Sequence, residues 1–227
     1  MSEPVRDHIR SWFPQDPEPA PTQRRKQALA DALRALTADV LMLDAAAAGE
    51  DALAEAERLL EAARAHISGL PDVRSNGGLF ASEPDFSLFE RSPFSGRSNA
   101  LATPLTVTFD GETTHAHATY GDAYEGPRGS VHGGHVIGAF DDILGVAQAA
   151  SGKPGLTGTL SVRLVSRTPL NERIDYVAGV ESQSGRKVIA TARSFHGETL
   201  LAEATGIFIT PRGGIFSAHP TEPQPRS

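Results

Sequence analysis

The sequence predicts an α+β protein: an antiparallel sheet covered by one helix, with a helical hairpin in front of it. Three observations carry this. Apolar residues recur at steps of three and four over residues 22–69, then switch to strict alternation after Asn99. Between the alternating stretches lies one helical run, about 132–150, with Val136, Phe140, Ile143 and Ala147 on one side. Four alternating stretches follow it, so a single helix has to cover the whole sheet.

Taken in order, residues 1–21 carry five prolines among polar residues and read as a disordered tail. Residues 22–69 read as two helices. Leu29, Leu33, Leu36, Val40 and Leu43 form one stripe; Leu53, Ala56, Leu60, Ala63 and Ile67 form a second. Gly49 separates them, and Asp51 is placed to cap the second helix. The expected unit is an αα-hairpin with one apolar seam, its Arg24-Arg25-Lys26 run facing solvent. Two helices bury too little to stand alone, so their remaining apolar surface should pack on the following domain or on another subunit. Residues 70–98 combine Gly, Ser and Pro with Phe80, Phe86, Phe89 and Phe94. That many aromatics predicts an ordered connecting segment lying across the next domain.

Residues 99–210 form that domain. Leu105, Val107 and Phe109 alternate with threonines, Asp110-Gly111 predicts a two-residue hairpin turn, and a return strand runs from Thr113 to Tyr120. A loop over 121–130 leads into the helix, which Ser151-Gly152-Lys153-Pro154-Gly155 ends. Strands are expected at about 156–167, 173–183, 187–196 and 198–210, with Gly185 and Gly197 at turns. Residues 211–227 read as a C-terminal tail.

Composition narrows the function. There is no cysteine, which excludes disulfides, thiolate zinc sites and cysteine nucleophiles. The formal net charge of −7 argues against a general nucleic-acid binder, although a local basic patch can still hold one small anion. No stretch of 18 apolar residues is present, so no membrane span is expected, and the N-terminus does not read as a signal peptide. A cytoplasmic protein is the expectation.

The chemistry concentrates at the helix start, Ser130-Val131-His132-Gly133-Gly134-His135. Glycines let a ligand approach the backbone, and first-turn amides at the positive end of a helix suit a developing oxyanion. Packing alone is the other reading of those glycines. Asp141 and Asp142 lie inside the same helix among apolar residues, where a carboxylate needs a site or a partner. From His132 to Asp141 is nine residues, about 13 Å of helix. One chain therefore cannot bring both ends to one reacting group. Two helices antiparallel across a two-fold axis can, so the spacing asks for an isologous dimer if both ends act together. His132 reads either as a proton shuttle or as a cap on the helix start. His132, His135, His115 and His117 with Asp141 are of metal-ligating types; no further ligand is implied, and no metal is expected.

With these residues in place, Gly126 to Ile209 resembles acyl-CoA thioesterases of the hotdog fold. The likeness is to the phenylacetate-pathway and 4-hydroxybenzoyl-CoA types and to human thioesterase superfamily members. His132-Gly133-Gly134 followed by Asp141 matches the His-Gly-Gly, six residues, then Asp or Glu motif. Thr157, Gly158, Leu160, Val162 and Pro169 match a following Thr-Gly-x-Leu-x-Val with a later Pro. Glu203, Ala204 and Phe208 match a terminal Glu-Ala-x-x-x-Phe. Arg167 stands where relatives often have proline. The resemblance implies a hotdog fold and hydrolysis of an acyl-CoA to free acid and coenzyme A. The Gly133 amide, with Gly134, would hold the thioester carbonyl. Asp141 from the other protomer would act as general base or nucleophile, and Thr157 would orient it or the water. Arg163, Arg186 and Lys187 become candidates for the coenzyme A phosphates, coenzyme A being part of the substrate rather than a cofactor. A homodimer or dimer of dimers is implied. The rival readings are a hotdog hydratase or dehydratase and a non-catalytic acyl-CoA sensor or scaffold.

Overall fold

The computed structural model describes residues 20–72, 90–103 and 105–212. Nearly all of the two expected tails, and Phe80, Phe86 and Phe89, lie outside the described residues. In chain order the elements are α1 (Pro21–Leu41), a single turn α2 (Ala45–Ala48) and α3 (Glu50–Ser68). Then come β1 (Thr106–Phe109), β2 (Thr114–Thr119), a 3₁₀ turn (Asp122–Tyr124) and α4 (Gly133–Ala150). β3 (Leu156–Leu164), β4 (Arg173–Ser184), β5 (Lys187–His196) and β6 (Thr199–Ile209) complete the elements among the described residues. The strands form one antiparallel sheet in the order β1-β2-β4-β5-β6-β3. The strand that follows α4 thus crosses to the far edge.

The sheet wraps α4, the only helix with a buried apolar face of any size among the described residues. Phe140, Ile143 and Leu144 are fully buried, each worth roughly 1.5–3 kcal/mol over exposure. Opposite them the inner sheet face carries small side chains: Ala116 and Ala118, Ala190 and Ala192, Ala202 and Ala204. These alanines give the helix room to sit close to the strands. Tyr176 packs edge-on against Phe140 at 5.6 Å, and its hydroxyl meets that of Tyr120 at 2.8 Å, both groups buried. Burial pushes Tyr120 up to about 12 and Tyr176 well above the ordinary tyrosine range.

β3 contains a bulge. Thr157 pairs with Phe208 and Thr159 with Ile207, leaving Gly158 over. The extra residue puts Thr157 on the inner face together with Leu160 and Val162, instead of on the face shared with Thr159.

Three expectations are corrected. The β1–β2 turn has four residues, not two: Phe109 pairs with Thr114, and Asp110 Oδ1 accepts the amides of Glu112 and Thr113. Those two bonds hold the carboxyl of Asp110 below its usual range. Asp51 does not cap α3; Gly49, at φ +81°, occupies that position, and Asp44 caps the inserted turn α2. The helices form where the stripes placed them, but they do not bury a common seam. Leu29, Leu33, Val40, Leu60 and Ile67 are all exposed, and no residue of α3 is buried.

The described part of the connecting segment does lie across the sheet-and-helix domain. Phe94 sits on α4 over Gly138, where a Cβ would lie 2.0 Å from its ring. Ser92 Oγ donates to Asp142 Oδ1 at 2.9 Å.

Candidate active site

Gly126 folds the preceding loop back against the helix start; a Cβ there would come within 2.7 Å of His132 Cα. The His132 amide donates to the Tyr124 carbonyl at 2.8 Å, which fixes the entry of α4. His132 is the N-cap. Its Nδ1 accepts the Gly134 amide at 3.0 Å, which leaves the other ring nitrogen carrying the proton. The ring also occupies the space a Cβ on Gly134 would need. Of the two glycine amides, Gly134 is therefore taken up by the cap. The Gly133 amide has no hydrogen-bond partner among the described residues. It stands at the positive end of an 18-residue helix, half-buried beside Leu164. His135 lies between Tyr124, edge-on at 4.9 Å, and the His132 ring. Burial, helped by His132, lowers its pKa.

Two turns further along α4, Thr157 Oγ1 donates to Asp141 Oδ1 at 3.0 Å. The bulge at Gly158 is what aims the threonine inward. Asp142 turns the other way, under the connecting segment. Its Oδ2 is shut off from solvent, and burial raises its pKa against the opposing pull of the Ser95 and Ser92 hydroxyls, with Asp141 next door adding to the rise. The two adjacent carboxylates thus divide: Asp141 is held by one donor and open, Asp142 is covered.

At about 1.5 Å per residue, Gly133 and Asp141 stand roughly 12 Å apart along one helix. The structure places Asp141 and Thr157 together and Gly133 with His132 and Gly134, but does not bring the two groups together within one chain. Large apolar side chains are exposed around the Gly133 end: Ile137, Leu164 and Val165.

The candidate cations fall in two places. Arg163 lies on the sheet face away from α4, bonded to Glu203 at 2.7 Å, where Arg193 also approaches. It is apart from the Asp141–Thr157 pair, because position 163 alternates to the outer face. Arg186 and Lys187 sit at the β4–β5 turn; Arg186 reaches the Thr210 carbonyl at 3.3 Å. Lys153, which the sequence reading passed over as a helix terminator, donates to the Gly185 carbonyl at 3.4 Å and joins them. This cluster is at the end of the sheet where β3 begins with Leu156 and Thr157. His115 and His117 are on the outer face of β2, His115 bonded to Asp110, away from His132 and His135. Among the described residues no three His, Asp or Glu side chains converge as a metal would require.

An antiparallel sheet wrapped around one long helix, with a glycine amide at the helix start and a held carboxylate two turns on, is the hotdog architecture. Comparison with solved structures finds the same fold in thioesterase superfamily proteins. A crystal structure of a thioesterase superfamily protein superposes with a TM-score of 0.70 and 26% identity, covering 86% of this chain and 97% of that one. Thioesterase superfamily member 2 from zebra fish matches at TM-score 0.47 and 18% identity, over 53% and 89% of the two chains. The Mus musculus member 2 matches at 0.44 and 17%, over 47% and 81%. The chain carries the hotdog fold of the thioesterase superfamily. No family model and no curated protein matches the sequence. Residues 99–210 are about half of the chain, so a likeness over 86% extends into its N-terminal part.

Proposed function

We propose that this protein hydrolyses an acyl-CoA thioester to the free acid and coenzyme A, at a site built from two copies of the chain. The observation that carries the reading is the Thr157–Asp141 hydrogen bond on a helix whose first free amide is Gly133. A thioester carbonyl needs a donor for its developing oxyanion; the Gly133 amide, left free by the His132 cap, suits that role. A water needs a base; Asp141, held by Thr157, takes its proton while the water oxygen attacks the carbonyl carbon. The tetrahedral intermediate then collapses, the carbon–sulfur bond breaks, and the thiolate of coenzyme A leaves with the proton from Asp141. Water and protein groups suffice, and coenzyme A enters only as part of the substrate.

The 12 Å separation within α4 is closed when a second α4 runs antiparallel to the first, so that the Gly133 amide of one chain faces the Asp141 of the other. The open edge of β3 and the exposed Ile137, Leu164 and Val165 supply the surface for that contact. Lys153, Arg186 and Lys187 offer charge for the nucleotide phosphates. Thiol release measured across acyl-CoAs from acetyl to palmitoyl, with aromatic acyl groups included, tests the reading. Turnover of at least one class, lowered by about 10² or more in Asp141→Asn, supports it; binding of acyl-CoA with no thiol release from any of them contradicts it.

A further inference from the structure

α1 turns a polar face inward and its apolar stripe outward. α1 meets the rest of the chain through Gln23, Gln27, Ala30 and Arg34. Gln23 and Gln27 donate to Glu90 at 2.7 and 2.9 Å, and Arg34 donates to the Asn99 carbonyl at 2.6 Å. At about 100° per residue these four share one face, and Leu29, Leu33, Leu36 and Val40 lie roughly a third of a turn away. Leu29 is 48% exposed, Leu33 45% and Val40 52%. α3 is still barer: its one substantial neighbour among the elements is the single turn α2. A 19-residue helix with only a single turn against it is marginal in water, so α3 needs a partner.

The repeat in both stripes says that the partner is a helix. Within α1, Leu29 and Leu36 are seven residues apart, as are Leu33 and Val40; within α3, so are Leu53, Leu60 and Ile67, and Ala56 and Ala63. A seven-residue spacing of apolar residues suits knobs-into-holes packing between helices.

Charge selects the pair and its direction. α1 carries basic residues at 24–26 and at Arg34 against Asp31 and Asp39, a net +2. α3 carries Glu50, Asp51, Glu55, Glu57 and Glu61 against Arg58 and Arg64, a net −3. Like pairs repel; α1 with α3 attracts. Within α1 three of the four cations lie in the first two turns, and within α3 the acids crowd the first half. Parallel packing sets cations against acids. Antiparallel packing sets residues 24–26 against Arg64 and Asp39 against Glu50 and Asp51. The parallel register that places Leu33 opposite Leu60 and Val40 opposite Ile67 also sets Leu29 and Leu36 against Ala56 and Ala63, and brings Arg25 beside Glu57.

One chain cannot make that pair with itself. From Leu41 back to the level of Gln23 is about 27 Å of helix. The connection 42–49 has four residues in the turn α2 and four outside it, a reach of about 20 Å. We infer that α1 of one chain is covered in parallel by α3 of a second copy, so that two copies exchange their N-terminal helices. This stands on the N-terminal helices alone, whether or not the chain hydrolyses thioesters.

The absence of native cysteine makes the test direct. Val40→Cys with Ile67→Cys in the full-length protein, oxidised mildly at low micromolar concentration, should run mostly as a covalent dimer on a non-reducing gel. Each single variant should stay monomeric there. Both positions are exposed, so neither change threatens the fold. Val40→Cys with Leu53→Cys is the counter-test, since an antiparallel hairpin within one chain would bring those two together. An in-chain disulfide in that variant, dimers from Val40→Cys alone, or no dimer from the Val40–Ile67 pair would each overturn the inference.

Discussion

Replacing Thr157 by valine removes one hydroxyl and little else. Valine keeps the branched Cβ that suits a strand, and Thr157 is exposed in the single chain, so β3 should hold its place. What is lost is the 3.0 Å donor to Asp141 Oδ1. A hydrogen bond to an ionised group contributes about 1.5–3 kcal/mol; with the pair open to water the lower end applies. That is a fall in kcat of a little over ten-fold, at nearly unchanged KM, because in the proposed mechanism the threonine positions the base rather than the substrate. Thr157→Ser keeps the hydroxyl and should recover most of the rate. Tm should move by no more than about 2 °C in either variant, as for an ordinary surface change in a chain of this length. Steady-state thiol release and a thermal melt read both quantities. Full kcat in Thr157→Val would refute the positioning role. So would a loss matched by a large fall in Tm that serine does not rescue.

Asp141→Asn should lower kcat by about 10²–10⁴, the range for losing a general base, while Asp142→Asn changes it far less; the reverse pattern in the same assay would show that the covered carboxylate is the catalytic one. Asp142 also predicts a pH dependence of stability. Its folded pKa lies above the ordinary value near 3.8, so the unfolded chain releases its proton first as pH rises. Its contribution to stability is therefore full below that value and declines as pH climbs toward the raised one. Melts from pH 3.5 upward should lose that component of the slope in Asp142→Asn; an unchanged slope contradicts it. Tyr176→Phe strands the buried Tyr120 hydroxyl and should cost about 1–3 kcal/mol, whereas the Tyr120→Phe, Tyr176→Phe double variant should cost less than the sum of the singles. Urea titration of the three variants closes that cycle, and additive effects would mean the two hydroxyls do not depend on each other.

The sheet-and-helix domain was legible because its signals are local. Period-two alternation, the turn glycines Gly185 and Gly197, and the apolar run of α4 set each element to within a few residues of its observed bounds. Asp141 and Thr157 were named together from a motif, and they do bond. What stayed hidden depends on contacts between distant residues. Nothing near Asp142 in sequence tells that Ser92, fifty residues earlier, covers it. Nothing near Arg163 in sequence tells that the β3–β6 register sets it across from Glu203 on the outer face. The Gly134 amide looked as free as that of Gly133; only the rotamer of His132 decides between them. The apolar stripes of α1 and α3 were read correctly as stripes. Their pairing within one chain was wrong because α1 docks through glutamines on Glu90, a choice that apolar periodicity does not register.

The central claim is that each site takes its oxyanion donor from one chain and its base from another, and subunit complementation tests it most directly. In Gly133→Val the new side chain enters the space beside Leu164, whose Cδ1 lies 3.3 Å from where a Cβ would sit, and blocks the free amide. In Asp141→Asn the base is gone. Each protein alone should be inactive. Mixed in equal amounts and allowed to exchange subunits, half of the dimers are hybrids with one intact site of two, so thiol release should return to roughly a quarter of the parent rate. Exchange demonstrated by differently tagged chains, with activity still at the level of the separate variants, would contradict the shared site.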